Sequence, residues 1–259
     1  MKMVDIRVGM KVSDDEVQME MTLPAAPTRL ESLLPVFQKV ADSLVGLAAE
    51  RAAAEGRTIS CAEGCGACCR QIVPITEMEA RRVARLVEEL PEPRRTEIRA
   101  RFERARDRLA EAGFLSRLRR PHDFEKEEFS PFGLGYFHLG IPCPFLEEER
   151  CSIYSDRPIS CREYLVTSPA AQCADPKPNT IEQVEFPGKV WTALARAGMR
   201  GPPSRFIPWV PLVLAPEWAS EHPDGGELRP VEELVRSVFE ELGRRRGGEQ
   251  AGGTGPEGA

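Results

Sequence analysis

Cys61-Ala62-Glu63-Gly64-Cys65-Gly66-Ala67-Cys68-Cys69-Arg70 is the stretch from which the rest of the sequence is read, four thiols within nine residues separated by small side chains and two glycines. A segment of this kind wraps closely around a metal and turns backbone N–H groups toward sulfur, which stabilises thiolate charge. Cys65 and Cys68 have the spacing shared by tetrahedral zinc knuckles and cysteine-ligated iron–sulfur clusters. Adjacent Cys68 and Cys69 point apart unless the backbone bends sharply, which argues against a closed four-thiolate knuckle from this segment alone. A thioredoxin-like use of Cys65-Gly-Ala-Cys68 lacks the strand-to-helix context which that motif needs.

Four further cysteines stand singly: Cys143 between Pro142 and Pro144, then Cys151, Cys161 and Cys173 at intervals of 8, 10 and 12 residues. These intervals exclude a second local knuckle. Each thiol has to be delivered by its own turn, with Pro142, Pro144, Pro158 and Pro169 as rigid corners. The candidate metal ligands are therefore Cys61, Cys65, Cys68, Cys69, Cys143, Cys151, Cys161 and Cys173. The candidate cofactor is a zinc or iron ion, or a [4Fe–4S] cluster. Eight thiols suffice for two four-thiolate sites or for one cluster with further ions, and the count does not choose. The competing readings are a disulfide-stapled scaffold and, for Cys173 alone, a small buried hydrophobe.

Working outward, 259 residues with 41% hydrophobic and 29% charged can bury a core without staples. Residues 1–7, Met-Lys-Met-Val-Asp-Ile-Arg, carry charge where a secretory signal needs an apolar run, and nothing approaches the ~18 apolar residues of a membrane span. We expect a cytoplasmic protein. In that compartment a dense cysteine set reads first as metal ligation. A net charge of −6, and arginines between 81 and 120 interleaved with Glu at helical spacing, argue against a nucleic-acid partner. The excess of Arg over Lys fits the coding bias of a GC-rich bacterial genome. The expected partners are the metal and an unidentified protein or peptide, with no membrane.

Alternation over Ile6–Val12 and Val17–Leu23, broken at Ser13-Asp14-Asp15-Glu16, predicts an N-terminal hairpin. Thr28 and Glu31 suggest a capping box opening a helix that runs to about Gly56. A second box, Thr76 with Glu79, opens a helix stopped by Pro91, and an Arg/Glu-rich helix follows from about Pro93 to Gly113. That helical hairpin can return the chain so that Cys69 and Cys143, 74 positions apart, meet. From Pro121 to Pro230 irregular backbone is expected, with helical pieces near 157–164 and 188–197, and an amphipathic helix from Val231 to Leu242. The fold class is mainly α with irregular cysteine-rich loops and a small N-terminal β-hairpin, α+β overall. The expected organisation is a hairpin and helix at 1–56, a cysteine domain at 57–175, an extension at 176–243 on the same core, and a disordered tail at 244–259.

Taken together, Cys61 to Arg70, Pro74-Ile-Thr76-Glu-Met-Glu79, Cys143-Pro-Phe-Leu146, Cys151-Ser-Ile-Tyr154, Arg157-Pro158 and Cys161-Arg162-Glu-Tyr164 resemble the YkgJ-type CxxCxxCC cysteine-cluster family. The resemblance covers roughly 57–175. It implies zinc or iron chelation through the matched cysteines, and a cluster is brought in by the family's flagellin lysine-N-methylase, FliB. The alternative function is therefore a metal-dependent enzyme that modifies protein or peptide side chains, by lysine N-methylation or iron-dependent oxidation. No Gly-rich strand-turn-helix suited to S-adenosylmethionine is present. An enzyme would need a pocket, for which Tyr136, Phe137, His138, Tyr154 and Tyr164 are the candidates. His138 is also a candidate extra ligand, Arg70 and Arg162 are candidates to offset thiolate charge, and Glu147-Glu148-Glu149 reads as a solvated turn.

Overall fold

A computed structural model describes residues 2–12, 15–186, 188–199, 207–223 and 225–244. Strands β1 (Met3–Val12) and β2 (Asp15–Pro24) pair antiparallel, with Ile6 opposite Met21 and Val8 opposite Met19. One face of this ribbon packs on the main core and β1 lies near the last helix of the chain, α10 (Val231–Gly243). Asp15 and Glu16, expected in the turn, belong to β2, while 13 and 14 fall outside the described residues.

The expected capping box of Thr28 and Glu31 does not form. Thr28 instead exchanges backbone hydrogen bonds with Arg229 at 2.9 Å in each direction, and Leu30–Leu33 makes a single 3-10 turn. Helix α1 (Leu34–Ala54) starts after it, with Pro35 in the first turn, where a missing N–H costs nothing. Phe37, Val40, Ala41, Leu44 and Ala48 recur at helical spacing and are buried.

Past the cysteine segment come β3 (Pro74–Ile75), α2 (Glu77–Glu89) and α3 (Arg94–Glu111). The box predicted at α2 is present: Thr76 Oγ1 accepts from Glu79 N at 3.2 Å, and the Glu79 carboxylate accepts from Thr76 N at 2.8 Å. Val83 and Val87 of α2 with Ile98 and Phe102 of α3 build a second apolar cluster that takes in Phe145, Ile153, Val210 and Leu212. Met78 of α2 belongs to the main cluster instead, so this helix joins the two. The main cluster draws on residues as far apart as Ile6, Phe37, Leu109, Ile141, Ile159, Leu194 and Leu242.

The remaining elements are α4 (Leu115–Leu118), α5 (Lys126–His138), the short hairpin of β4 (Leu146–Glu147) and β5 (Arg150–Cys151), α6 (Ile159–Arg162), α7 (Ala170–Ala174), α8 (Val190–Ala197), β6 (Val210–Pro211) and α9 (Ala215–Glu221). The fold is thus mainly α with a small β part. Two expectations for this half need correction. Helix α5 occupies part of the stretch expected to be irregular and contains Pro131, Gly133 and Gly135; it forms around a Glu125/Glu128 capping box and an aromatic cluster in which Phe132 meets Phe114 and Phe124 at 4.6 and 4.8 Å, while Phe129 meets Trp209 at 5.9 Å. Aromatic packing here outweighs the poor helix propensity of Pro and Gly. Short helices α7 and α9 also lie where no helix was expected. Among the described residues no helix is long and apolar enough to cross a membrane. The tail expected from 244 lies, from 245 onward, outside the described residues.

Helix α6 has only four residues, so its orientation is set by partners rather than by its own hydrogen bonds. Buried Glu79 accepts from Ile159 N at 2.7 Å, buried Arg162 forks onto both carboxylate oxygens of Asp42 in α1 at 2.8 and 2.7 Å, and buried Glu163 accepts from Val190 N at 2.6 Å and Trp191 N at 3.3 Å. Replacing Glu79 by Ala leaves Thr76 N and Ile159 N without an acceptor in a buried setting, at about 1–3 kcal/mol each. Urea unfolding of Glu79→Ala should therefore show a loss of roughly 2–5 kcal/mol. Thr76→Ala, which loses a cap and keeps the Ile159 bond, should cost about 1 kcal/mol.

Candidate metal centre

The segment from Cys61 to Arg70 descends through consecutive tight turns, with Cys65 N donating to Ala62 O, Cys69 N to Gly66 O and Gln71 N to Cys68 O. Gly64 supplies the left-handed conformation this path needs, at φ +90°. The backbone bends sharply enough that Cys68 and Cys69 share a side-chain hydrogen bond, so the adjacent thiols do not diverge as expected. As anticipated from the helical hairpin, the chain then returns to its start: Cys143 N donates to Cys69 O at 2.7 Å.

Cys151 arrives on the β4–β5 hairpin, whose two turn residues Glu148 and Glu149 both have positive φ, 47° and 59°. That is the twist a two-residue hairpin demands, and for non-glycine residues it is strained. The surroundings hold it. Glu147 is bound by Arg94 at 2.9 Å and Arg101 at 2.8 Å, and Glu149 is bound in a fork by Arg70 at 2.9 and 2.5 Å. Glu147–Glu149 is therefore an anchored corner rather than a merely solvated turn. Gly66 is its seat: a Cβ there would stand 2.5 Å from Glu149 O and 2.7 Å from a Leu146 methyl.

Cys161 is carried by α6 and Cys173, buried, by α7. Cys61 is held by Val166 N, which donates to its sulfur at 3.4 Å, while its thiol reaches Tyr164 O at 3.9 Å. Val166 also accepts from Ser60 N and bridges to Gln183.

The eight thiols are all free. Cys68 lies within electrostatic reach of Cys61, Cys143, Cys151, Cys161 and Cys173, and is bonded to Cys69; Cys65 is coupled to Cys61 and Cys173. The hydrogen bond from Cys69 and burial push Cys68 far above the ordinary thiol value. Burial, reinforced by neighbouring thiols, raises Cys143 to about 12 and Cys173 to about 11, and raises Cys61, Cys151 and Cys161 as well. Opposing this are backbone N–H groups from Phe145 toward Cys143, Ile153 toward Cys151 and Val166 toward Cys61. These donors come mainly from the distant loops, where the sequence suggested the glycines of the first segment.

The charge expected from Arg70 and Arg162 is mostly spent elsewhere, on Glu149 and Asp42, although Arg70 retains an interaction with Cys69. The guanidinium that favours thiolate at Cys61, Cys68 and Cys151 is that of Arg157, lying 3.9 Å over the Tyr154 ring. It was visible in the sequence only as part of an Arg-Pro corner. The expected aromatic pocket is not assembled. Tyr136 and Phe137 are buried in apolar surroundings, and His138 is exposed at the end of α5 beside Phe137. Of the five candidates only Tyr164 lines the cavity against the cysteines, a space of about 20 Å³ shared with Cys61, Cys65, Cys68 and Cys173.

The donor set fits zinc or iron by chemistry: soft sulfur ligands, clustered, backed by amide donors and one guanidinium, and disfavoured as bare thiolates by burial and mutual repulsion. Among the described residues no group of three or more His, Cys, Asp or Glu side chains is arranged so that it could hold a metal ion as it stands. Residues 60–183 match the model of the CxxCxxCC family, described as a putative zinc- or iron-chelating domain. Residues 60–183 are thus similar to that domain, which supports metal binding. Comparison with curated proteins and with solved structures finds no significant match.

Gly66→Ala should push the β4–β5 corner off the first cysteine segment and lower the midpoint of thermal unfolding. Glu148→Gly, at an exposed position, should relieve left-handed strain and raise stability by up to about 1 kcal/mol. Calorimetry of the two variants should show shifts of opposite sign.

Proposed function

We propose that this protein holds zinc or iron through Cys61, Cys65, Cys68, Cys69, Cys143, Cys151, Cys161 and Cys173, as ions or as an iron–sulfur cluster, in the reducing setting of a cytoplasm. The single observation that carries this reading is the position of Cys68. It belongs to the first segment, yet it is coupled both to the set containing Cys61 and Cys173 and to the set containing Cys143, Cys151 and Cys161. Thiols brought near one another in this way would repel as thiolates, and a bound cation would remove that cost. When bound, the metal would supply positive charge; the chain's own residues supply sulfur, amide donors and the Arg157 charge.

The alternative of a metal-dependent enzyme acting on lysine or another peptide side chain requires room beside the ligands. The cavity there, about 20 Å³, is of the order of a single water site, which favours holding a metal over modifying a side chain.

Anaerobic purification followed by metal analysis, acid-labile sulfide assay and a visible spectrum tests the proposal. Brown protein with iron and sulfide identifies a cluster, colourless protein with stoichiometric zinc identifies thiolate zinc, and protein without either metal overturns the reading. Chelation or Cys65→Ser should lower the melting temperature by roughly 10 °C or more, because a structural metal contributes folding free energy directly. An unchanged melting curve would remove the structural role.

A further inference from the structure

Away from the cysteines, the surface between the start of α1, helix α2 and the loop after α9 encloses a cavity of about 170 Å³ lined by Arg29, Glu31, Ser32, Arg81, Arg85, Pro223 and Gly225. Its described lining carries three guanidinium groups against one carboxylate, a surplus of two positive charges in a chain whose net charge is −6. Asp224 lies outside the described residues and is not in this count.

Arg81 is partly buried and held in place, while Arg29 and Arg85 stay exposed. Arg81 and Arg85 stand four residues apart on one face of α2 and both bind Glu31, whose side chain is 4% exposed; Arg81 Nε reaches Glu31 Oε2 at 3.0 Å and Arg85 takes Oε1. Arg81 is fixed further by the carbonyl of His222 at 3.4 Å and by the ring of Trp218, 5.4 Å from its guanidinium carbon, and that ring is itself stacked on His222. Arg29 spends Nε on Gly226 O at 3.1 Å. Each guanidinium has five donors, more than these contacts use. Glu31 thus serves as the internal counter-charge that lets Arg81 and Arg85 approach each other, and it is the one carboxylate in the described lining. Gly225 sets the wall: a Cβ there would come within 3.1 Å of both Arg29 Cδ and Glu31 Oε2.

We propose that this cavity is a binding site for a tetrahedral oxyanion, phosphate or the phosphate group of a small ester. Planar forks from Arg29, Arg81 and Arg85 suit phosphate oxygens, and Ser32 adds a hydroxyl at the rim. The volume is below the range that encloses drug-sized ligands, so nucleotides are excluded as fully enclosed occupants.

Isothermal titration of the full-length, metal-loaded protein at constant ionic strength tests this, with inorganic phosphate in one arm, glycerol phosphate in a second and acetate in a third. Saturable one-to-one binding of inorganic phosphate, weakened at least fivefold by Arg29→Gln and by Arg85→Gln, is expected. Arg99→Gln, which removes an exposed charge paired with Glu88 on the same helical hairpin, should leave it unchanged. Tighter glycerol phosphate than inorganic phosphate identifies an ester as the occupant, and the reverse order identifies the free ion. Absence of saturable phosphate binding, equal affinity for acetate, or equal losses in the Arg99→Gln variant would each overturn the proposal. Metal content measured on the same samples keeps this result separate from the fate of the cysteine site.

Discussion

The buried carboxylate of Glu79 carries more of this architecture than any apolar contact. It closes the N-terminus of α2 through Thr76 N and Thr76 Oγ1, and its other oxygen receives Ile159 N, the first amide of α6. A carboxylate without water is costly, and three donors are what make it tolerable. Burial still pushes its pKa above the usual carboxylate range, with Arg162 acting in the opposite direction. Because Ile159 is two residues from Cys161, the bond that starts α2 also places a thiol.

The same device recurs through the cysteine region. Glu163 ties the far side of α6 to the start of α8, and burial raises its pKa to about 8. Glu147 and Glu149 hold the β4–β5 corner to α3 and to Arg70. Two segments too short to stabilise themselves, α6 and the β4–β5 hairpin, are fixed by carboxylates bound to backbone amides or to Arg, and each delivers one cysteine. The apolar clusters lie on either side of this polar framework, with Cys143 and Cys151 packed against the one built by α2 and α3. Charge-assisted hydrogen bonds are directional where apolar contacts are not, which suits a site whose sulfurs must meet at one place.

Much of this was legible in the sequence. The Thr76–Glu79 box, the helical hairpin and the amphipathic Val231–Leu242 face are local patterns, and local patterns decide local structure. The eight cysteines were recognisable by type and spacing, and the return of Cys143 to Cys69 followed from the hairpin. What could not be read was non-local. Thr28 lost its expected role because Arg229, 201 positions later, offered a backbone partner. Helix α5 formed against its Pro and Gly content because Phe114, Phe124 and Trp209 converge on it. Arg157 became the cation of the site, while Arg70 and Arg162 met carboxylates from other elements. A side chain's type can be read in one dimension, but its partner is a property of the fold.

That distinction explains how the site is built. A zinc knuckle made from one contiguous segment would need only its own turns, and its four thiols could assemble with little help from the rest of the chain. Here Cys61 is secured by Val166 and Cys143 by Cys69, while Cys161 depends on Glu79 and Cys151 on a hairpin seated against Gly66. Each of these four candidates is fixed by a residue from a different part of the sequence. The thiols therefore stand near one another only when both apolar clusters and the carboxylate framework have formed, and burial there favours their protonated form. A bound cation would have to displace those protons and would favour the folded arrangement over the unfolded chain, so a metal held there would couple its affinity to global stability and to pH.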